Sequence, residues 1–232
     1  MYYPMYYGFD STYLLVLIGV VICLIASAKM NTTFNRYSRV RSASGMTGRD
    51  AAQRILQSAG IYDVRVEHVA GNLSDHYDPR SKVLRLSDAT YNSTSVAAIG
   101  VACHEAGHAA QYAQSYAPIK IRNLVLPAAN LGSKAGIPLA IIGFFLNFEI
   151  LAIAGIAFFS FAVLFQLITL PVEFNASKRA LNIITEADIL SENEKVGAKK
   201  VLTAAAMTYV AALAVSIANL LRILLMFNRR RK

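Results

Sequence analysis

Four histidines occur in the chain. Two of them, His104 and His108, stand four residues apart around Glu105 in the run Cys103-His104-Glu105-Ala106-Gly107-His108-Ala109-Ala110-Gln111. On an α-helix, residues i and i+4 share a face about 6 Å apart, so both imidazoles can turn a nitrogen toward one divalent ion. Glu105, rotated by about 100° from His104, is poorly placed as a third ligand but can reach a water held on that ion. The chemistry on offer is metal-assisted hydrolysis. Zinc polarises a scissile carbonyl and lowers the pKa of its water toward about 7, while Glu105 takes the proton as general base and hands it to the leaving amine. Burying two imidazoles and a carboxylate in an otherwise apolar helix, from about Val96 to Ala113, is costly unless an ion compensates them.

The elements that must position this helix are unusual in composition. Of 232 residues, 55% are hydrophobic and only 16% charged, and the apolar ones lie in long runs. That excludes a soluble globule and points to an integral, multi-pass membrane protein. The net charge of +9 flanks the apolar runs instead of forming a stripe with interleaved aromatics, so the partner is the lipid bilayer and not nucleic acid. Cys23 and Cys103 give neither a disulfide framework nor a CxxC metal knuckle.

Residues 1–30 read as an N-terminal transmembrane segment, with a Tyr-rich belt over Met1–Asp10 and an apolar run from Tyr13 to Ala28. Lys29, Arg36, Arg39 and Arg41 follow it, which places the N-terminus outside and the chain from residue 30 onward in the cytoplasm. Residues 31–122 read as the cytoplasmic catalytic part. There, Thr47 to Asp50 resembles a capping box for a helix through Ser58, stopped by Gly60. Ile61–Val69 and Lys82–Leu86 read as short strands around a polar turn, Gly71–Arg80, forming a hairpin-like unit. An exposed strand edge beside a metal site could hold an extended peptide by its main chain. Asn92–Ser95 supplies N-cap candidates for the metal helix. Residues 123–170 read as a transmembrane helical hairpin turning near Asn147, and residues 171–200 as a helix followed by a charged stretch, Glu186–Lys200. Residues 201–232 form a C-terminal apolar segment ending in a basic tail. It either crosses the membrane or packs its Ala-rich half beside the zinc helices with the tail cytoplasmic.

A catalytic zinc commonly takes three protein ligands and leaves one position open. The candidates for the third are His68, His76 and the carboxylates. Chain topology favours Glu173, in Pro171-Val172-Glu173-Phe174-Asn175-Ala176-Ser177-Lys178-Arg179-Ala180, because two crossings between residues 108 and 173 return the chain to the side it left. The competing reading pairs Glu173 with Lys178 or Arg179, and His76 is the next ligand candidate. As oxyanion or substrate contacts, His76, Tyr77 and Tyr112 are candidates by side-chain chemistry.

Over nearly its whole length the sequence resembles the YugP-type membrane-bound neutral zinc metallopeptidases, related in plan to the HtpX-type gluzincins. The resemblance rests on the first apolar run, on Ser74-Asp75-His76-Tyr77-Asp78-Pro79, on His104 to Gln111 and on Leu170 to Ser177. It implies one zinc per chain bound by His104, His108 and Glu173, with Glu105 as catalytic base. Wider gluzincins often carry an Asp four residues after the ligand Glu, to orient a zinc-bound His. Ser177 stands there instead, so Ser177 or Asn175 is the candidate for that weaker support. The expected fold is a mainly α membrane protein, with multi-pass helices, a gluzincin-like zinc helix and a small β-hairpin-like unit. The expected activity is a zinc endopeptidase of the cell membrane, acting at the cytoplasmic face on a peptide or membrane-protein substrate. Two other readings compete with it. One is a catalytically silent zinc-binding membrane scaffold. The other is a site-2-type intramembrane protease, whose Asp-Gly ligand motif is missing from this chain.

Overall fold

A computed structural model describes residues 12–231, with side chains through residue 228. The Tyr-rich stretch Met1–Asp10 lies outside the described residues. The elements are α1 (Thr12–Tyr37), α2 (Gly48–Ser58), β1 (Arg65–His68), β2 (His76–Asp78), β3 (Val83–Leu86), α3 (Val96–Ala113), α4 (Ala117–Phe145), α5 (Glu149–Glu186) and α6 (Glu192–Arg231). The protein is a mainly α membrane protein with a small sheet. Four of its described helices, α1, α4, α5 and α6, are long and apolar enough to cross a bilayer. The chain divides into two compact units, and each of these four helices contributes to both.

The first unit holds residues 12–25, 125–166 and 210–231 of the described chain. Its α4 and α5 form the expected helical hairpin, and the turn carries Asn147 at φ 52°. Small residues set how closely the two helices approach: a Cβ on Gly132 would lie 2.0 Å from the Phe158 carbonyl oxygen, and one on Gly155 2.2 Å from the Ala140 nitrogen. Close contact through glycine and alanine suits a medium in which burial of apolar surface gives no advantage over lipid. Outward faces are apolar, with Leu17, Leu24, Phe145 and Ile150 all more than half exposed. Surface of this kind is satisfied by acyl chains, not water. Arg222, the one Lys or Arg between Lys200 and Arg229, sits with its guanidinium carbon 3.9 Å from the centre of the Tyr13 ring. A cation over an aromatic face is one of the few ways to hold such a charge among apolar helices.

The second unit, residues 26–124 and 167–209, has a conventional packed core built on Ile55, Leu84, Leu86, Ile99, Ile184 and Ile189. Helix α2 begins at the predicted capping box: the Thr47 hydroxyl accepts from the Asp50 N–H at 3.2 Å, and the Thr47 N–H donates to the Asp50 carboxylate at 3.1 Å. The Thr47 hydroxyl, which also donates to the Asp50 carboxylate at 2.6 Å, and the Thr47 N–H hold that carboxyl below its usual range. It ends at Ala59 and Gly60, the latter at φ 70°. Ser95 caps α3 by accepting from the Ala98 N–H at 3.2 Å.

Three strands, not two, form the sheet, in the order β1-β3-β2. β1 lies parallel to β3, and β2 pairs with β3 antiparallel, His76 opposite Arg85. The stretch expected to be only a turn therefore contains a strand. Its polar residues read as loop, but tertiary partners hold it: Asp75 accepts from the Ser87 N–H and hydroxyl at 2.8 and 2.9 Å. At its other end Asp78 accepts from the Arg80 N–H at 2.9 Å and the Ser81 hydroxyl at 2.6 Å, which closes the β2–β3 turn. Those bonds lower the Asp78 carboxyl to about 2.

The charged stretch 186–200 resolves into a short turn and the first turns of α6, which is continuous from Glu192 to Arg231. The C-terminal segment is one helix with two kinds of surroundings. Val201 and Leu202 are buried in the second unit, in clusters that also contain α3 residues, and the same helix runs on as an apolar stretch of spanning length.

Candidate metal centre

The site lies within the second unit, where α3 meets α5. Along α3 the residues that matter recur as His104, Gly107, His108 and Gln111, one stripe of a 3.6-residue helix. Gly107 allows the approach, because a Cβ there would sit 2.6 Å from the Ala176 carbonyl oxygen of α5. With that gap closed, the His104 Nε2 lies 3.2 Å and the His108 Nε2 3.5 Å from one oxygen, Oε2 of Glu173. The three donors fall within 4.8 Å of one another and could hold a metal ion. Their side chains are 15%, 12% and 4% exposed, in the order His104, His108, Glu173.

The donor set fits zinc. Two ligands at about 2.0–2.1 Å from a tetrahedral centre are separated by about 3.3–3.4 Å, which is the spacing between the imidazole nitrogens and the carboxylate here. Electrostatics point the same way. Burial alone would lower the His108 pKa, but hydrogen bonding to Glu173 and the charges of Glu105 and Glu173 outweigh it and raise it, so the cluster favours a positive charge at this point. Cys103, next to His104 in sequence, is fully buried and its thiol is pushed up, which leaves it inert.

Both histidines turn Nε2 inward and Nδ1 outward. The His104 Nδ1 meets the Ser177 hydroxyl at 3.1 Å, and the His108 Nδ1 meets the Gln111 Oε1 at 3.0 Å. Gln111 is buried; its amide nitrogen donates to the Val172 carbonyl at 2.8 Å and to Asn175 Oδ1 at 3.0 Å. Asn175 Oδ1 also accepts from the Arg179 Nε–H at 2.7 Å. Ser177 thus occupies the supporting position considered for it, and Asn175 sits one residue further out, acting through Gln111. Gln111 had no role in the sequence reading, although, three residues after His108, it lies on the same helix face; Arg179, considered there as an ion-pair partner for Glu173, instead donates to Asn175 Oδ1 and Gln114 Oε1.

Glu105 is half-buried and lines two cavities that share His104, Glu173 and Tyr209. One, about 190 Å³, is polar and brings together His76, Tyr77, Tyr112 and Arg122. Its opposite number, about 200 Å³, is walled by Met30, Leu73, Val101, Leu202 and Ala206. All three candidate substrate contacts therefore reach the site: His76 is anchored by Nδ1 to the Ser74 carbonyl at 2.8 Å, and Tyr77 and Tyr112 pack ring to ring with centroids 5.6 Å apart. His68 does not join them; its Nε2 bonds Asp88 at 2.6 Å and its ring meets the edge of Tyr91. Tyr209, which lines both cavities with Glu173, had no sequence signal, being a tyrosine 36 residues further along in an apolar helix.

A helical membrane protein with a His/His/Glu cluster of zinc spacing belongs with the membrane zinc peptidases. The chain is a member of the zinc metallopeptidase family described as "Putative neutral zinc metallopeptidase", whose pattern matches residues 12–228. It is similar to the Bacillus subtilis (strain 168) protein named "Putative membrane protease YugP", with 48% identity over 202 residues, 87% of this chain and 90% of the relative. No solved structure matches it.

Proposed function

We propose that the chain is a membrane zinc endopeptidase of gluzincin type, in which His104, His108 and Glu173 hold one zinc and Glu105 is the general base. The observation that carries the reading is the convergence of both Nε2 atoms on one Glu173 oxygen at 3.2 and 3.5 Å. When bound, zinc supplies Lewis-acid polarisation of the scissile carbonyl and makes water more acidic. The protein's own groups do the rest. Glu105, facing both cavities, takes the proton from water and returns it to the leaving amine. β2 is an edge strand whose residues His76 and Tyr77 line the polar cavity, so a substrate peptide adds to it in extended form. Tyr209 and His76, which line the polar cavity with Glu105, donate to the developing oxyanion, and the apolar cavity takes an apolar side chain beside the scissile bond. Crossing of the bilayer by all four long helices puts residues 38–116 and the α5–α6 turn on one side, which the basic flanks assign to the cytoplasm.

The test is metal content together with hydrolysis of casein or a membrane-protein substrate, in detergent-purified wild type, Glu105→Gln and Glu173→Ala. Wild type should carry about one zinc and cleave. Glu105→Gln should keep zinc and lose at least about 10²-fold in turnover, and Glu173→Ala should lose zinc. Cleavage by Glu105→Gln at the wild-type rate would remove Glu105 as the base.

A further inference from the structure

The largest cavity described in the second unit is not the metal centre but a groove of about 530 Å³ between α5 and α6. That volume is within the range of about 300–1,000 Å³ typical of small-molecule sites. One stripe of α5 (Phe174, Lys178, Leu181, Thr185) faces one stripe of α6 (Lys195, Lys199, Leu202, Ala206) across it. We propose that this groove binds an anionic phospholipid, with Lys178 and Lys199 on the phosphate and the acyl portion against Phe174 and Ala206.

Charge and its distribution carry the assignment. Three lysines and one carboxylate, Glu192, line the groove. Glu192 is engaged by Lys195 at 2.7 Å, while among the described residues no carboxylate bridges Lys178 or Lys199. Two ammonium groups on facing helices thus share an open groove without a protein counter-ion. The lining is also graded along the helices. Phe174 and Ala206 lie at the end from which both helices continue into their most apolar stretches, whereas Thr185, Glu192 and Lys195 lie at the other. At 1.5 Å per residue, the lysine pair stands about 6 Å beyond Phe174 and about 10 Å beyond Ala206. A headgroup layer is about 5–8 Å deep, so a lipid whose tails meet the apolar end brings its phosphate to the lysines. Free inorganic phosphate would use the lysines but leave the apolar end of the groove unfilled. The groove adjoins the metal centre, since Ser177, Leu202 and Ala206 line both, but the proposal does not depend on catalysis.

Native mass spectrometry of the full-length protein, released from membranes containing phosphatidylglycerol and phosphatidylcholine, counts the lipids retained and reads zinc content in the same spectrum. Wild type should retain phosphatidylglycerol in preference to phosphatidylcholine. Lys178→Gln/Lys199→Gln should weaken that retention about 30-fold, each single variant about fivefold, with phosphatidylcholine and zinc unaffected. Arg54→Gln/Lys200→Gln removes the same charge from exposed positions outside the groove and should behave as wild type. Equal phosphatidylglycerol retention by wild type and the groove variant overturns the site, as does an equal loss in the control variant. Displacement of the lipid by millimolar inorganic phosphate, leaving tails unrequired, overturns the lipid as its occupant.

Discussion

The two histidines of the metal centre have the same spacing, the same helix and the same inward nitrogen, yet the protein supports them unequally. Behind His108 the bonds run through Gln111 and Asn175 to Arg179. Arginine can only donate, so Asn175 Oδ1 must accept. The Gln111 nitrogen must then be the group facing it, and the Gln111 oxygen the group facing His108. In its neutral form His108 must therefore carry its proton on Nδ1 and present a bare Nε2. Behind His104 there is one hydroxyl, Ser177, which can donate or accept and fixes nothing by itself. On the proposed reading, one ligand is oriented by the fold before metal arrives, and the other is oriented only once a metal claims its Nε2. Gln111 lies on α3, but its partners Val172, Asn175 and Arg179, and Ser177 behind His104, all come from a single stretch of α5, residues 172–179, which also supplies Glu173. Helix α5 therefore works as the template against which the histidine helix is set.

The severest way to break this comparison is to move the template. Gly107→Ala places a methyl group 2.6 Å from a backbone oxygen of α5 that has no side chain to swing away. It should cost stability at the upper end of about 1–3 kcal/mol and abolish zinc binding at both histidines together. Thermal unfolding with and without zinc checks this. A variant that binds zinc normally would show that the α3–α5 distance is not what sets the site.

Gln111→Leu should be the next largest, because it leaves the His108 Nδ1–H unpartnered in a buried position and frees Asn175. A loss of about 100-fold in zinc affinity is expected, at the upper end for groups supporting a metal ligand, with Glu105 and its cavity unchanged. Competition with a chromophoric chelator measures it.

How far each of these parts was legible follows from their physics. The His104–Glu105–His108 spacing is a local property of one helix and needed no structure to read. Glu173 was reachable from chain topology, since two spans return the chain to the same side. Capping chemistry at Thr47 and Ser95, and the turn at Asn147, were legible because they act within a few residues. β2 was missed because His76-Tyr77-Asp78 pairs only through contacts with β3 and Ser87. Tyr209 enters from α6, and the close approach at Gly107 depends on where another backbone happens to lie. No periodicity encodes either. The unequal support of the two histidines belongs to the same class: Gln111 lies on the face that sequence exposes, but its meaning rests on Asn175 and Arg179, 64 residues or more away.

A smaller effect is expected from pH. Zinc requires neutral imidazoles, and in the metal-free protein burial of His108 is outweighed by Glu173 and Glu105, so its pKa is raised from the usual 6.5. A raised value means the proton is held to higher pH. Proton competition should therefore begin to weaken zinc binding above pH 6.5 as pH falls, not below it. Zinc affinity measured from pH 8 to pH 5.5 tests the sign, and a flat profile down to pH 6 would contradict it.

The smallest expected effect bears most directly on the inequality. Ser177→Ala removes one hydroxyl from a half-buried imidazole that the metal itself orients, so zinc affinity should fall only about tenfold, and Ser177→Thr should restore it. Ser177→Asp would put a carboxylate where the wider gluzincin plan has one. A carboxylate is acceptor-only when ionised, so it would force His104 into the tautomer that Gln111 already imposes on His108. Affinity should then rise above wild type, and the Ser177→Asp/Gln111→Leu double variant should depend on His104 as wild type depends on His108. Should Ser177→Ala instead cost as much as Gln111→Leu, the two sides of the site are equivalent, and the longer chain of bonds through Arg179 contributes no more to the metal than a single hydroxyl does.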